Sequence, residues 1–269
     1  MGRVRQVLTA LGFILLLLCV VAPGIFTPYD PLATDPHLAL APPSAAHPLG
    51  TDQTGSDIWA RVVYGASSTV LTGLGAVAVA FVLGVALGAG LAVVPRVVRE
   101  AGMRVIDALM ALPEFLLALL LLAFFGSSPV AVIAAVALAM APGYARIMLY
   151  SAEAKRASEA YTAAQFNGVG VLRRNWRYVL MPALQPLFSL FTIGIGTAIL
   201  IVSGLTFLGL GVQPPTPDWG VMLSQGRSYV ARSWWPVLWP GLALLLTIML
   251  FTFTGRRLQR REVLSNDGG

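Results

Sequence analysis

Few side chains in this 269-residue chain are equipped for chemistry, and their placement limits what that chemistry could be. Lys155 is the only lysine, and it stands between Ala154 and Arg156 rather than in a Gly-Lys-Ser/Thr loop. No lysine is therefore placed to reach nucleotide phosphates. His37 and His47 share a Pro-rich stretch with Asp30, Asp35, Asp52 and Asp57. Their spacing matches no metal-ligand pattern, and exposed loop histidines are usually just solvated. No histidine and no pair of aspartates lies in an apolar segment, which argues against a hydrolase working inside a bilayer. Cys19 is the single cysteine, so no intrachain disulfide is possible. That leaves Glu114, an acid within a strongly apolar segment, where an unpaired charge is costly and functional by default. Two roles are open to it. It lines a translocation path and touches a cationic substrate or a substrate amine, or it pairs with Arg146 near the same leaflet as a structural ion pair.

The elements that carry these residues read as membrane spans. The chain is 57% hydrophobic and 11% charged, against about 25% charged in soluble globular proteins. Apolar segments at residues 8–23, 68–94, 105–125, 130–150, 184–210 and 237–253 give six spans, the first uncleaved. Ile58, Trp59, Val62 and Val63 recur at helical spacing with Arg61 opposite, which predicts an interfacial helix before the second span. Gly84 and Gly88 form a GxxxG step, a weak signal for close helix packing. Arg96, Arg99 and Arg104 read as a short basic loop after Pro95. Trp219, Trp234, Trp235 and Trp239 read as an aromatic belt. With both termini on one side, the segments there hold Arg3, Arg5, Arg96, Arg99, Arg104, Lys155, Arg156, Arg173, Arg174, Arg177, Arg256, Arg257, Arg260 and Arg261, and the opposite segments only Arg61, Arg227 and Arg232. That bias predicts an all-α membrane protein with six transmembrane helices and both termini cytoplasmic. It also explains the net charge of +6 without nucleic acid.

The longest polar interval between spans is 151–182, with five of the eighteen Lys/Arg. Glu159 favours a helix N-terminus, Ala160, Ala163 and Ala164 are strong helix formers, and Gly168 is a natural stop. The three alanines fall on neighbouring positions of one helical face, where another protein surface could approach closely. A short basic helix between spans reads as a docking element.

Three stretches then resemble a known family. They are HPLGTDQTGSDIWARVVYGASSTVLTG (47–73), Ala163-Ala164-Gln165-Phe166-Asn167-Gly168 followed by Val179-Leu180-Met181-Pro182, and LTFLGLGVQPPTPDWG (205–220). They are similar to the second, C-type permease subunit of dipeptide, oligopeptide and nickel ABC importers. Ser56 and Ser67 stand where that branch usually has Arg, Val202 where it has an acid, and the basic tail replaces an acidic pattern.

The resemblance implies a type I ABC importer transmembrane fold in a bacterial plasma (inner) membrane. It implies a first helix and tail over 1–27, an extracytoplasmic connection over 28–67, a permease core over 68–255 with a coupling loop at 151–182, and a cytoplasmic tail over 256–269. The expected partners are a homologous permease subunit, two ATPase subunits or domains that hold the ATP and Mg, and an extracytoplasmic binding protein, all around the lipid bilayer. This chain itself is expected to bind no cofactor and catalyse no reaction. Glu159, Ala163, Ala164 and Gly168 are expected to contact the ATPase, and Asp52, Asp57, Gln213 and Asp218 to meet the binding protein. Di- and oligopeptides are the expected cargo, with nickel, a metal chelate or glutathione as alternatives. An ion-coupled secondary transporter is the alternative of another class, poorly served because Glu114 is the one acid well inside a span and no internal repeat is seen.

Overall fold

The computed structural model describes the backbone of residues 2–266 and the side chains of residues 6–260. The Arg3, Arg5 and Arg261 side chains counted above lie outside the described ones. Eleven helices carry the described chain: α1 (Gly2–Val21), α2 (Ile58–Val93), α3 (Arg96–Met110), α4 (Glu114–Phe125), α5 (Pro129–Arg156), α6 (Glu159–Phe166), α7 (Val171–Asn175), α8 (Met181–Ala183), α9 (Gln185–Phe207), α10 (Trp219–Gly226) and α11 (Trp235–Asn266). A π-helical turn, Trp176–Leu180, joins α7 to α8. Side-chain caps set several starts. Asp57 accepts from Ala60 N at 2.7 Å, and Ser128 from Ala131 N at 3.1 Å, each satisfying an N–H the helix leaves free.

Among the described residues, four helical stretches are long and apolar enough to cross a membrane: Ile58–Val93, Pro129–Arg156, Val171–Phe207 and Trp235–Arg260. α3 and α4 together make a fifth, bent by 95°, and Gln6–Val21 is a shorter apolar helix. The third span is therefore not the straight helix expected over 105–125. It breaks at residues 111–113, where Pro113 disfavours helix in the residue before it. Arg96, Arg99 and Arg104 do not form a loop; they lie on α3, an amphipathic helix. The interfacial helix expected at Ile58 is also corrected. Ile58, Ala60, Arg61 and Val63 are buried, and the segment is the first turns of α2 itself. Its apolar stripe meets protein, not lipid.

The centre of the molecule is α2, α5 and α9, lined by small residues such as Ala76, Ala80, Ala135, Ala139 and Ala198 that let backbones approach. The GxxxG step is where α2 crosses α5. A methyl on Gly84 would overlap Tyr144 and the Ala141 carbonyl, and one on Gly88 would overlap the Ala145 carbonyl and Met148. α2 and α5 run in the same direction, since Gly75 meets Ile133 and Gly88 meets Met148. α9 opposes them, with Ile199 at Gly73 and Tyr144 at Gly194. α11 opposes α9 in turn, and α1 opposes α11 through Gly12–Leu250 and Phe13–Phe251. α11 is peripheral: 11% of its apolar window is buried, against 61% for α5. This winding puts both described chain ends, the C-termini of α2 and α5, and α6 at one end, here termed the basic end. The 28–57 loop and α10 lie at the opposite, loop end.

Candidate functional site

At the basic end α5 stops at Arg156, and the Ser158 hydroxyl caps α6, accepting from Tyr161 N at 3.4 Å. Glu159 occupies the first turn of α6, where the helix dipole favours an acid. Gly168, with φ of +70°, turns the chain back after the helix, as expected of a residue without a Cβ. α7 folds against α6 through Tyr161, whose hydroxyl lies 3.2 Å from Asn175 Oδ1 and whose ring carries the Arg174 guanidinium at 4.9 Å. The resulting hook stands on a small core of its own. Val179, Ala183 and Leu187 pack with Ala92, Met148, Leu149 and Ala152, with Tyr161 against them. The hook is therefore packed directly on α2, α5 and α9.

The alanine face needs correction. Ala164 is buried against the chain, whereas Glu159, Ala160, Ala163 and Gly168 are exposed. Ala164 serves the hook's internal packing rather than an outside surface. Sequence reasoning missed the larger feature. Phe166 and Leu172 are each 87% exposed, with Val171 and Trp176 exposed beside them. Large apolar side chains left open in a water-facing segment mark an interaction surface. The available signal was apolar residues inside the most basic interval of the chain.

Glu114 sits at the N-terminus of α4, at the break in the third span, and its residue is exposed. It does not pair with Arg146. Arg146 bridges to Asp107 at 3.2 Å and lies over the Tyr150 ring, while Arg99 bridges to Glu153 at 3.1 Å. These two crossed pairs fasten α3 along the last turns of α5. The bend at 111–113 carries Glu114 out of the pairing.

At the loop end, three of the four expected docking residues face inward. Asp218 is fully buried as the N-cap of α10. It accepts from Thr69 Oγ1 at 2.7 Å, Thr206 Oγ1 at 3.0 Å, Gly220 N at 3.0 Å and Val221 N at 3.2 Å. One carboxylate thus ties α2, α9 and α10 together. Asp52 bridges buried Arg61 at 2.8 Å, and Arg61 also reaches Gln225 on α10. Asp57 caps α2 and meets His47 Nδ1 at 2.8 Å. None of these three offers a free oxygen surface to a partner, so the expectation for Asp52, Asp57 and Asp218 is corrected to an internal role. Gln213 is exposed, its amide donating to the Gly209 carbonyl. His47 is not simply solvated: it is bonded to Asp57 and stacked near Tyr29. Nor do the tryptophans form a belt. Trp219 is buried and donates to the Val62 carbonyl, Trp235 donates to the Thr51 carbonyl, and only Trp234 of the four is exposed. Among the described residues no group of three or more His, Cys, Asp or Glu side chains could hold a metal ion.

The fold is similar to that of solved ABC importer permeases. The inward-facing MetNI methionine ABC transporter superimposes with a TM-score of 0.62 at 18% identity, covering 75% of this chain and 95% of that one. An amino acid ABC transporter solved with histidines gives 0.59 at 16% identity, covering 75% and 94%. Residues 65–263 match the family of binding-protein-dependent transport system inner membrane components. The chain is 36% identical over 256 residues to the di/tripeptide transport system permease protein DppC of Pseudomonas aeruginosa, covering 91% of this chain and 84% of that protein. It is 35% identical over 255 residues to the probable D,D-dipeptide transport system permease protein DdpC of Escherichia coli K12, covering 94% and 85%. This chain belongs to that family and is a permease subunit of a binding-protein-dependent ABC importer. Its relatives are permeases for dipeptides and other peptides.

Proposed function

We propose that this chain is half of the pore of an ATP-driven importer of di- and oligopeptides. A homologous permease subunit supplies the other half, and two ATPase subunits or domains bind below the hook. An extracytoplasmic binding protein delivers cargo to the loop end. Both termini are then cytoplasmic, in a bacterial inner membrane, which agrees with the basic residues gathered at one end of the fold. The observation that carries the reading is the hook itself, with Phe166, Val171, Leu172 and Trp176 open on a base packed into α2, α5 and α9. Such a surface serves a chain whose sequence holds no P-loop and which takes its energy from a partner. ATP-driven closure of the partner would push the hook and, through its base, tilt the spans. Glu159, Ala163 and Gly168 belong to that contact, with Ala164 holding it in shape. Gln213 is the expected docking residue left open at the loop end. Glu114, released from Arg146 and set at the broken span, lies on the path and meets the ammonium group of the peptide. Peptides are favoured by the names of the relatives.

The test is uptake and ATP hydrolysis by the chain reconstituted with a homologous permease subunit, ATPase subunits and a binding protein. Hydrolysis stimulated by a peptide only when the binding protein is present is the expected result. Stimulation only by a nickel or metallophore complex, or only by glutathione, would keep the mechanism and overturn the cargo. Uptake that survives without the ATPase subunits would overturn the reading in favour of ion-coupled transport. Glu114→Gln is expected to slow uptake with little change in thermal stability; normal uptake by a less stable protein would return Glu114 to a structural role.

A further inference from the structure

The basic tail is left over once the hook, the break and the loop end are assigned. The fold gives it a neighbour that the sequence does not. α1 and α11 pack antiparallel, and Arg257 Nη1 lies 3.3 Å from Thr9 Oγ1 at the basic end. At about 1.5 Å per residue, positions 3 and 5 lie roughly 6–9 Å beyond Thr9 along α1, and positions 260 and 261 roughly 5–6 Å beyond Arg257 along α11. Six arginine positions, 3, 5, 256, 257, 260 and 261, thereby collect at the end of one helix pair. Across the two helices, 2–21 and 235–266, the sequence holds one acid, Glu262, against these six arginines.

The other basic cluster at this end is different. Around the cavity of about 480 Å³ between α3 and α5, Arg96 is bridged to Glu100 and Arg99 to Glu153. Its arginines are largely neutralised inside the chain, whereas the six arginine positions of the α1–α11 pair have a single acid within their two helices, Glu262. Arg256 and Arg260 are exposed, about one and two turns past the apolar stretch that ends at Phe253. Both helices leave apolar faces open below: Val7, Leu8 and Leu11 on α1, and Leu245, Leu246 and Phe253 on α11. In a membrane subunit acyl chains cover such faces, which puts the arginines at the depth of the lipid headgroups.

We infer that the α1–α11 pair forms a basic collar that binds anionic phospholipid headgroups. Its ligand chemistry is the phosphate of a negatively charged lipid held by guanidinium groups, with the acyl chains lying along the open faces of the two helices. A function follows: the collar holds the outermost helix pair against the bilayer while the central helices move.

The full chain, purified and inserted into phosphatidylcholine vesicles, would be probed with spin-labelled phosphatidylglycerol and spin-labelled phosphatidylcholine. The reading is the ratio of the two lipids held at the protein surface. The wild type is expected to prefer phosphatidylglycerol about fivefold or more at low salt. The preference should fall as salt is raised to 1 M, where the screening length shrinks to about 3 Å. The triple variant Arg256→Gln, Arg257→Gln, Arg260→Gln should lose most of it. The Arg→Lys triple should keep it, and Arg96→Gln with Arg104→Gln should leave it unchanged. A wild type with no preference overturns the inference without recourse to any variant. So does a Gln triple that keeps full lipid preference, and if that variant also loses a co-purifying ATPase subunit, the collar is a protein contact instead. These outcomes stand apart from the uptake assay, which no lipid preference enters.

Discussion

The two ends of this molecule solve opposite problems. At the loop end, Asp52, Asp57, Arg61 and Asp218 are folded inward and paired. Asp218 serves three helices, and the Asp52–Arg61 pair joins the 28–57 loop to α2 and, through Gln225, to α10. At the basic end, apolar groups are turned outward and left unused, with Phe166 and Leu172 almost fully exposed. The first arrangement resists deformation, since a buried charge left unpaired is expensive. The second leaves open apolar area of the kind that marks an interaction surface. Rigidity and recognition are thus divided between opposite faces, and the α2–α5–α9 core connects them.

That division can be broken most forcefully at the loop end. Asp52→Ala leaves Arg61 buried without its counter-charge and is expected to cost about 3–5 kcal/mol, read as a large drop in thermal unfolding temperature in detergent. Replacing both partners, Asp52→Leu with Arg61→Leu, should recover much of that loss; if the double variant is no better than the single, the pair contributes something other than charge balance. Next comes the connecting core. Gly88→Val drives a side chain into Ala145 and Met148 where α2 meets α5 and is expected to cost about 1–3 kcal/mol. A variant with native stability would show that the two helices do not cross so tightly. Smaller again is Gly168→Trp. Nothing stands within 4 Å of a Cβ there, so the penalty is the left-handed backbone alone, about 1–2 kcal/mol. Membrane insertion should be intact while uptake is lost; unchanged uptake would remove Gly168 from the coupling contact. Smallest in stability is Leu172→Ser with Trp176→Ser, expected within about 0.5 kcal/mol because both side chains are open. Uptake and ATPase association should fall sharply. If this pair instead unfolds the protein and leaves coupling alone, the contrast between the two ends is wrong.

Much of this was legible in the chain. The α6 helix, from Glu159 to its stop at Gly168, was readable because an acid, a run of alanines and a glycine act within a few residues of each other. The gathering of arginines on one side was readable because hydropathy fixes where the spans end. The GxxxG step at Gly84 and Gly88 was visible but weak, since small residues permit a crossing without naming what crosses. The start of α2 was misread because an apolar stripe has the same spacing whether it faces headgroups or Trp219 and the 28–57 loop. Arg146 was matched to Glu114 alone; the fold sets Asp107 beside it instead, and the 95° bend lies between the two acids.

The sequence by itself determined that this is a helical membrane protein, which stretches are apolar enough to form its long helices, which segments gather its positive charge and which permease family it joins. Those properties follow from composition and short-range pattern, summed over neighbours in the chain. The tertiary structure alone decided that Asp52, Asp57 and Asp218 are spent internally, that Ala164 faces in while Phe166 and Leu172 face out, and that α1 and α11 pack side by side with Thr9 against Arg257. Each of these depends on groups brought together from far apart: Thr69 with Asp218, Arg61 with Gln225, Thr9 with Arg257. Polarity is written in a residue, but whether that polarity is satisfied or offered to a partner is settled by what the fold sets beside it.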